Sequence, residues 1–81
     1  MNKQDLLSNI DKIHTTELGK KRISKNLNIK ENQSIKYCID IIKNKNTIIY
    51  KQGKNYYCEN NNIKITINSY NYTIITAHII K

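Results

Sequence analysis

Eighty-one residues and a mass of 9.5 kDa allow one domain, residues 1–81, with no room for a second core. Fourteen Lys and Arg against six Asp and Glu give a formal charge of +8 and a pI near 9.6, so nucleic acid or another acidic surface leads the partner classes. Periodic apolar residues, 38% of the chain, exclude disorder, while Ile, Asn and Lys supply 43 of the 81 residues, a coding bias that dilutes the charge signal.

Leu6, Ile10 and Ile13 recur at helical spacing with Leu7 widening the stripe, which predicts an amphipathic helix from about Lys3 to Ile13. Thr15 or Thr16 can cap a second helix, with Glu17 in its first turn and Lys20, Lys21, Arg22 and Lys25 later, as the helix dipole favours. Ile23 and Leu27, with Leu18, are its expected anchors. A third helix from about Glu31 to Lys43 carries Ile35, Cys38, Ile39 and Ile42 on one face, and Ser34 or Asn32 can cap it.

After Asn46 the apolar period falls to 2 and β-branched and Tyr residues take over. Strands are expected at Thr47 to Lys51, Tyr56 to Glu59, Ile63 to Asn68 and Tyr72 to Ile79. Turns lie at Gln52-Gly53-Lys54-Asn55, at Asn60-Asn61-Asn62, where Asn tolerates left-handed geometry, and at Ser69-Tyr70-Asn71. The fold class is α+β, with N-terminal helices packed on a C-terminal four-stranded antiparallel meander.

A three-residue loop at Ser69-Tyr70-Asn71 pairs Asn68 with Tyr72, Thr66 with Ile74 and Lys64 with Thr76. Ile63, Ile65 and Ile67 then share the core face with Thr73, Ile75, Ala77 and Ile79. The other face gathers Lys64, Thr66, Asn68, Tyr72, Ile74, Thr76 and His78, a set able to hold a phosphate. A two-residue loop would turn Tyr72, Ile74, Thr76 and His78 into the core instead; the first register is favoured because it hides Ile75, Ala77 and Ile79 together.

Aliphatic runs reach two residues, as at Ile41-Ile42, whereas a bilayer span needs about 20 mostly apolar ones. The start, Met1-Asn2-Lys3-Gln4, lacks a signal peptide's apolar segment, and a cytoplasmic protein is expected. Cys38 and Cys58 form no CxxC pair and read as buried free thiols, so no metal site and no cofactor is expected. Gly53-Lys54 lacks the surrounding residues of a phosphate-binding loop and reads as a turn.

The cluster Lys20, Lys21, Arg22 and Lys25 is a solvated helix face or, joined by Lys54 and Lys64, a phosphate-binding one. Of the six tyrosines, Tyr70 and Tyr72 have the best case for exposure and base stacking, while Tyr50 and Tyr56 suit sheet packing. His14, at a helix end, reads as structural. His78 reads either as a strand residue with local hydrogen bonds or as a site residue.

The segments Thr15-Thr16-Glu17-Leu18-Gly19, Arg22-Ile23, Gly53-Lys54-Asn55-Tyr56-Tyr57, Ile65-Thr66-Ile67-Asn68 and Tyr70-Asn71-Tyr72-Thr73-Ile74-Ile75-Thr76-Ala77-His78 resemble an uncharacterised family of small bacterial domains of unknown function. More remotely, helices followed by a meander ending in a Thr/His strand are similar to the metal-independent nucleases grouped with barnase, EndoU, colicin and RelE toxins. That resemblance implies RNA cleavage by attack of the 2′-hydroxyl on the adjacent phosphate. His78 would be the acid or base, Thr76 would orient the phosphate, and Lys64 or Arg22 would supply charge. A second proton-transfer group is not evident, since Glu59 ends a strand and Glu17 lies on a helix.

Two function classes follow. One is a basic domain directed at RNA or ribonucleoprotein, either RNase-like or an inactive binding derivative, with His78 and Thr76 as candidate catalytic residues and Lys20, Lys21, Arg22, Lys25, Lys54, Lys64 and Tyr72 as candidate nucleic-acid contacts. The other is a protein-interaction module without catalysis, such as an inhibitor from a mobile element that acts on a CRISPR effector. An uncovered sheet face or edge also suits a homodimer.

Overall fold

The computed structural model describes residues 2–80 and passes through its helices before any strand. Helix α1 spans Asn2–Ser8, α2 Glu17–Leu27 and α3 Ser34–Lys43, with 3-10 turns at Ile10–Lys12 and Glu31–Gln33. The strands are β1 (Ile48–Gln52), β2 (Asn55–Asn60), β3 (Ile63–Asn68) and β4 (Ile74–Ile79), antiparallel and in sequential order. The helices pack on one face of this meander, as expected.

The first predicted helix is shorter than its apolar stripe. Asn9 donates from its side chain to the Asp5 carbonyl and from its backbone to Leu6, so the chain tightens and re-forms as a 3-10 turn that still brings Ile13 into the core. The third helix likewise begins as a 3-10 turn. Neither Ser34 nor Asn32 caps it: Gln33 is the cap residue without a side-chain bond, Asn32 is exposed, and the buried Ser34 hydroxyl reaches the Lys20 and Lys30 carbonyls at 3.3 and 3.4 Å. That hydroxyl ties α3 to α2.

Thr16 caps α2, its hydroxyl accepting from the Gly19 amide at 3.0 Å, and Asn28 ends the helix in left-handed geometry. Leu18, expected as an anchor, points outward at 65% exposure. Gly19 occupies the buried position in its place, because a Cβ there would collide with the Thr15 hydroxyl that donates to the Ile74 carbonyl at 2.9 Å. Close approach to β4 therefore displaces the apolar residue, and Ile23 and Leu27 do the anchoring, each contributing about 1.5–3 kcal/mol by burial.

The core is a continuous layer of Leu6, Ile13, Ile23, Leu27, Cys38 and Ile42 from the helical side against Tyr56, Cys58, Ile65, Ile67, Ile74 and Ala77 from the sheet. Both cysteines are free and buried, and burial pushes each thiol up to about 12, with Cys38 adding to the effect on Cys58.

The last hairpin departs from the expected register. Its loop holds four residues: the Asn68 amide donates to the Thr73 carbonyl at 2.9 Å, the Asn68 side chain accepts from the Tyr70 and Asn71 amides, and Tyr72 has a left-handed φ of 60°. Ile67 pairs with Ile74, but Thr66 pairs with Thr76 and Lys64 with His78, so Ile75 is an extra residue in a bulge. The bulge divides β4. Ala77 keeps its expected core position, whereas Ile74 enters the core at 1% exposure and Ile75 and Ile79 are exposed at 39% and 52%, against expectation.

Candidate nucleic-acid interface

Alternation along each strand sends a second set of side chains to the face that no helix covers. The tight Gly53-Lys54 turn, with Gly53 at φ 61°, sets the first hairpin so that Tyr50 faces Tyr57 and Ile48 faces Glu59. The Asn61-Asn62 turn, left-handed at both residues, then places Thr66 opposite Tyr57 and Lys64 opposite Glu59. Two rows cross the open face: Tyr50, Tyr57, Thr66, Thr76 and Ile48, Glu59, Lys64, His78.

The Tyr50 and Tyr57 rings stack with centres 5.4 Å apart, and Lys64 Nζ lies over Tyr57 at 4.8 Å from its centre. Tyr50 donates its hydroxyl to Glu59 Oε2 at 2.6 Å, a bond that, with burial and the nearby carboxylate charge, raises the phenol above its usual range. Asn55 reaches the Tyr57 hydroxyl at 3.4 Å. Thr66, expected on a wet face, is only 8% exposed because these neighbours close over it.

Lys64, Thr76 and His78 therefore share one open face, and His78 stands cross-strand from Lys64. The other sequence candidates lie elsewhere. Tyr72 is on the helical side, where its ring stacks 6.5 Å from buried Tyr56 under Lys12, because the four-residue loop and its left-handed turn redirect it. Lys54 sits in the exposed β1–β2 turn, held to Ser69 by a backbone bond. Lys21, Arg22 and Lys25 are exposed on α2, while Lys20 is half-buried and pairs with Glu17 at 3.5 Å. Helix α2 packs along β4, and Asn26 donates to the Ala77 carbonyl, so this basic helix flanks the strand that carries His78.

Tyr50, Tyr57 and Glu59 line the open face without being among the candidate site residues of the sequence. Their signal was strand parity: Tyr56 and Cys58 go to the core, so Tyr57 and Glu59 face outward. His14, read as structural, is held on both ring nitrogens, by the Lys12 carbonyl at 2.8 Å and the Thr73 hydroxyl at 3.0 Å. Its backbone bridges to the start of β4.

A family model described as a protein of unknown function (DUF3781) matches residues 7–78. The chain belongs to that family. No curated protein and no solved structure matches, and the DUF3781 match lends no support to the expected kinship with the barnase group. The DUF3781 stretch covers α2, α3, β1 to β3 and β4 up to His78, hence both rows of the open face. Among the described residues no helix is long and apolar enough to cross a membrane, and no group of three metal-ligating side chains occurs.

Proposed function

We propose that the DUF3781 chain binds single-stranded nucleic acid on its open sheet face, with RNA as the expected form. The supporting observation is the Tyr50–Tyr57 stack with Lys64 over it on a face no helix covers, in a protein of charge +8. Aromatic faces accept any base, and a bound cation meets the backbone between bases. The basic face of α2 extends the positive surface beside β4, where Lys21, Arg22 and Lys25 engage phosphates. A sheet face is too shallow to unpair a duplex, so the strand arrives already single.

Fluorescence anisotropy with a labelled seven-residue oligo-U tests this reading. Affinity should fall linearly with salt on a double-logarithmic plot and drop about 5- to 100-fold in Tyr50→Leu and in Tyr57→Leu, the range of one lost stack. Lys64→Glu and the triple change Lys21→Glu, Arg22→Glu, Lys25→Glu should weaken it further. Unchanged affinity in all four variants would remove the open face from the interaction, and salt-independent binding to a protein instead would favour the interaction-module class.

One observation favours a second reading, cleavage of the bound strand: His78, Lys64 and Thr76 share the face. Against it, the carboxylate in the same row, Glu59, already accepts from Tyr50, which leaves His78 without a committed proton-transfer partner. Incubation of labelled RNA with chelator present separates the two. Intact RNA supports binding alone, whereas cleavage that disappears in a folded His78→Ala variant establishes an RNase.

A further inference from the structure

Beyond the Ile48–Glu59–Lys64–His78 row the open face runs into a hollow of about 380 Å3 at the β2–β3 turn. Ile48 and Glu59 belong to both the face and the hollow. Asn60, Asn61 and Asn62 supply the turn side, and Asn46 and Ile80 complete the lining. Its size suits a small organic ligand, and its chemistry narrows the choice. Ile48 leaves 66% of its surface in water, an apolar wall without a cover. The asparagine amides offer both donors and acceptors, and the Asn60 amide is oriented by its bond to the Thr47 hydroxyl at 2.9 Å. Glu59 accepts only. Its Oε2 takes the Tyr50 hydroxyl, and Oε1 has no partner among the described residues.

A carboxylate repels a phosphate from this hollow, and among the described residues it belongs to no group of three His, Cys, Asp or Glu side chains. What it selects is a neutral, flat group with adjacent N–H donors. We infer that the hollow receives one base of the strand bound on the open face, and that Glu59 selects guanine there; this rests on the reading of that face given above. Guanine presents its ring N–H beside its amino group, two donors in line for one carboxylate. Adenine turns a ring acceptor to the same position, and uracil flanks its one N–H with two carbonyls. Ile48 covers the base face while the asparagines meet its remaining polar atoms. Ile48 lies two residues from Tyr50 along β1, about 6.7 Å, so a base in the hollow and a base on the tyrosine stack are within reach of one short strand.

The test is anisotropy at fixed low salt with three labelled heptamers: UUUGUUU, UUUAUUU and oligo-U. UUUGUUU should bind about tenfold more tightly than UUUAUUU, the scale of one good bidentate base contact. Glu59→Gln removes the charge and raises affinity for all three, so the measurement is the ratio, which should fall to near 1. Its amide oxygen still accepts from Tyr50, and a thermal melt checks that the fold persists. Oligo-U binding with equal affinity for the G and A heptamers overturns the guanine hollow and leaves the open-face reading standing. A guanine preference that survives Glu59→Gln also overturns it. No binding to any of the three overturns both.

Discussion

Lys64 and Glu59 face each other across β2 and β3, yet the ammonium lies 4.8 Å from the centre of the Tyr57 ring, and the carboxylate is taken by the Tyr50 hydroxyl. The two charges share a row without forming an ion pair; the ion pair among the described residues is Lys20 with Glu17. A ring therefore competes successfully with a carboxylate for the cation, because the exposed pair would gain only about 0–1 kcal/mol.

Lys64→Met keeps the stem and removes the cation. It should lower the urea-unfolding free energy by about 0.5–1 kcal/mol, the value of an exposed cation–π contact. In a Tyr57→Leu background the same change should cost almost nothing. An equal cost in both backgrounds would assign the stabilisation to Glu59 instead.

Gly19→Ala places a Cβ against the Thr15 hydroxyl. Although alanine is the better helix former by about 1 kcal/mol, crowding at the α2–β4 contact should win, with a net loss of about 1–3 kcal/mol. Adding Thr15→Ala removes the obstructing oxygen, so the double variant should unfold at higher urea than the two single losses combined predict.

The thiols give a pH dependence with a definite sign. Unfolded cysteines ionise near 9.0 and the folded ones near 12, so above pH 9 the unfolded chain sheds protons that the folded chain keeps. Stability present below pH 9 is lost as pH rises toward 12, with a slope of about 1.4 kcal/mol per pH unit for each thiol. A Cys38→Ala, Cys58→Ala double variant should show a shallower decline over that window, measured by urea midpoints. Native protein at pH 8 should resist iodoacetamide until it is unfolded.

Helix capping separates two threonine- and asparagine-rich starts. Thr16→Ala should cost about 1 kcal/mol, because it strips the acceptor from the Gly19 amide. Asn32→Ala should stay within about 0.5 kcal/mol, as expected of an exposed side chain that caps nothing. Thermal melts of the two variants rank them directly.

Element types were legible wherever the apolar period was clean, and the change of period after Asn46 marks the passage from helices to sheet. What escaped was set by single residues acting across the fold. Leu18 looked like core on spacing, but only Gly19 fits beside Thr15 and β4. His78, Thr76 and Lys64 share the face that the pattern predicts, through a different pairing: the four-residue loop and the bulge at Ile75 together shift those pairs by two positions, which restores the face. Past the bulge the compensation ends, and Ile74, Ile75 and Tyr72 all lie where pattern alone would not put them. Of the open-face residues, Tyr57 and Glu59 follow from the first hairpin, whose turn is short and unambiguous; for the last hairpin the pattern weighs a three-residue loop against a two-residue one, and the chain uses four, residues 69–72.

The bonds that close β4's outer edge come from far up the chain: Thr15 to Ile74 and His14 to Thr73 each span 59 positions. On a ribosome adding about 5–20 residues per second, α2 waits roughly 3–12 s for the strand against which it docks. During that interval Ile23 and Leu27 have no sheet to bury them. A nascent chain halted before β4 should accordingly recruit chaperones, and one released after it should not.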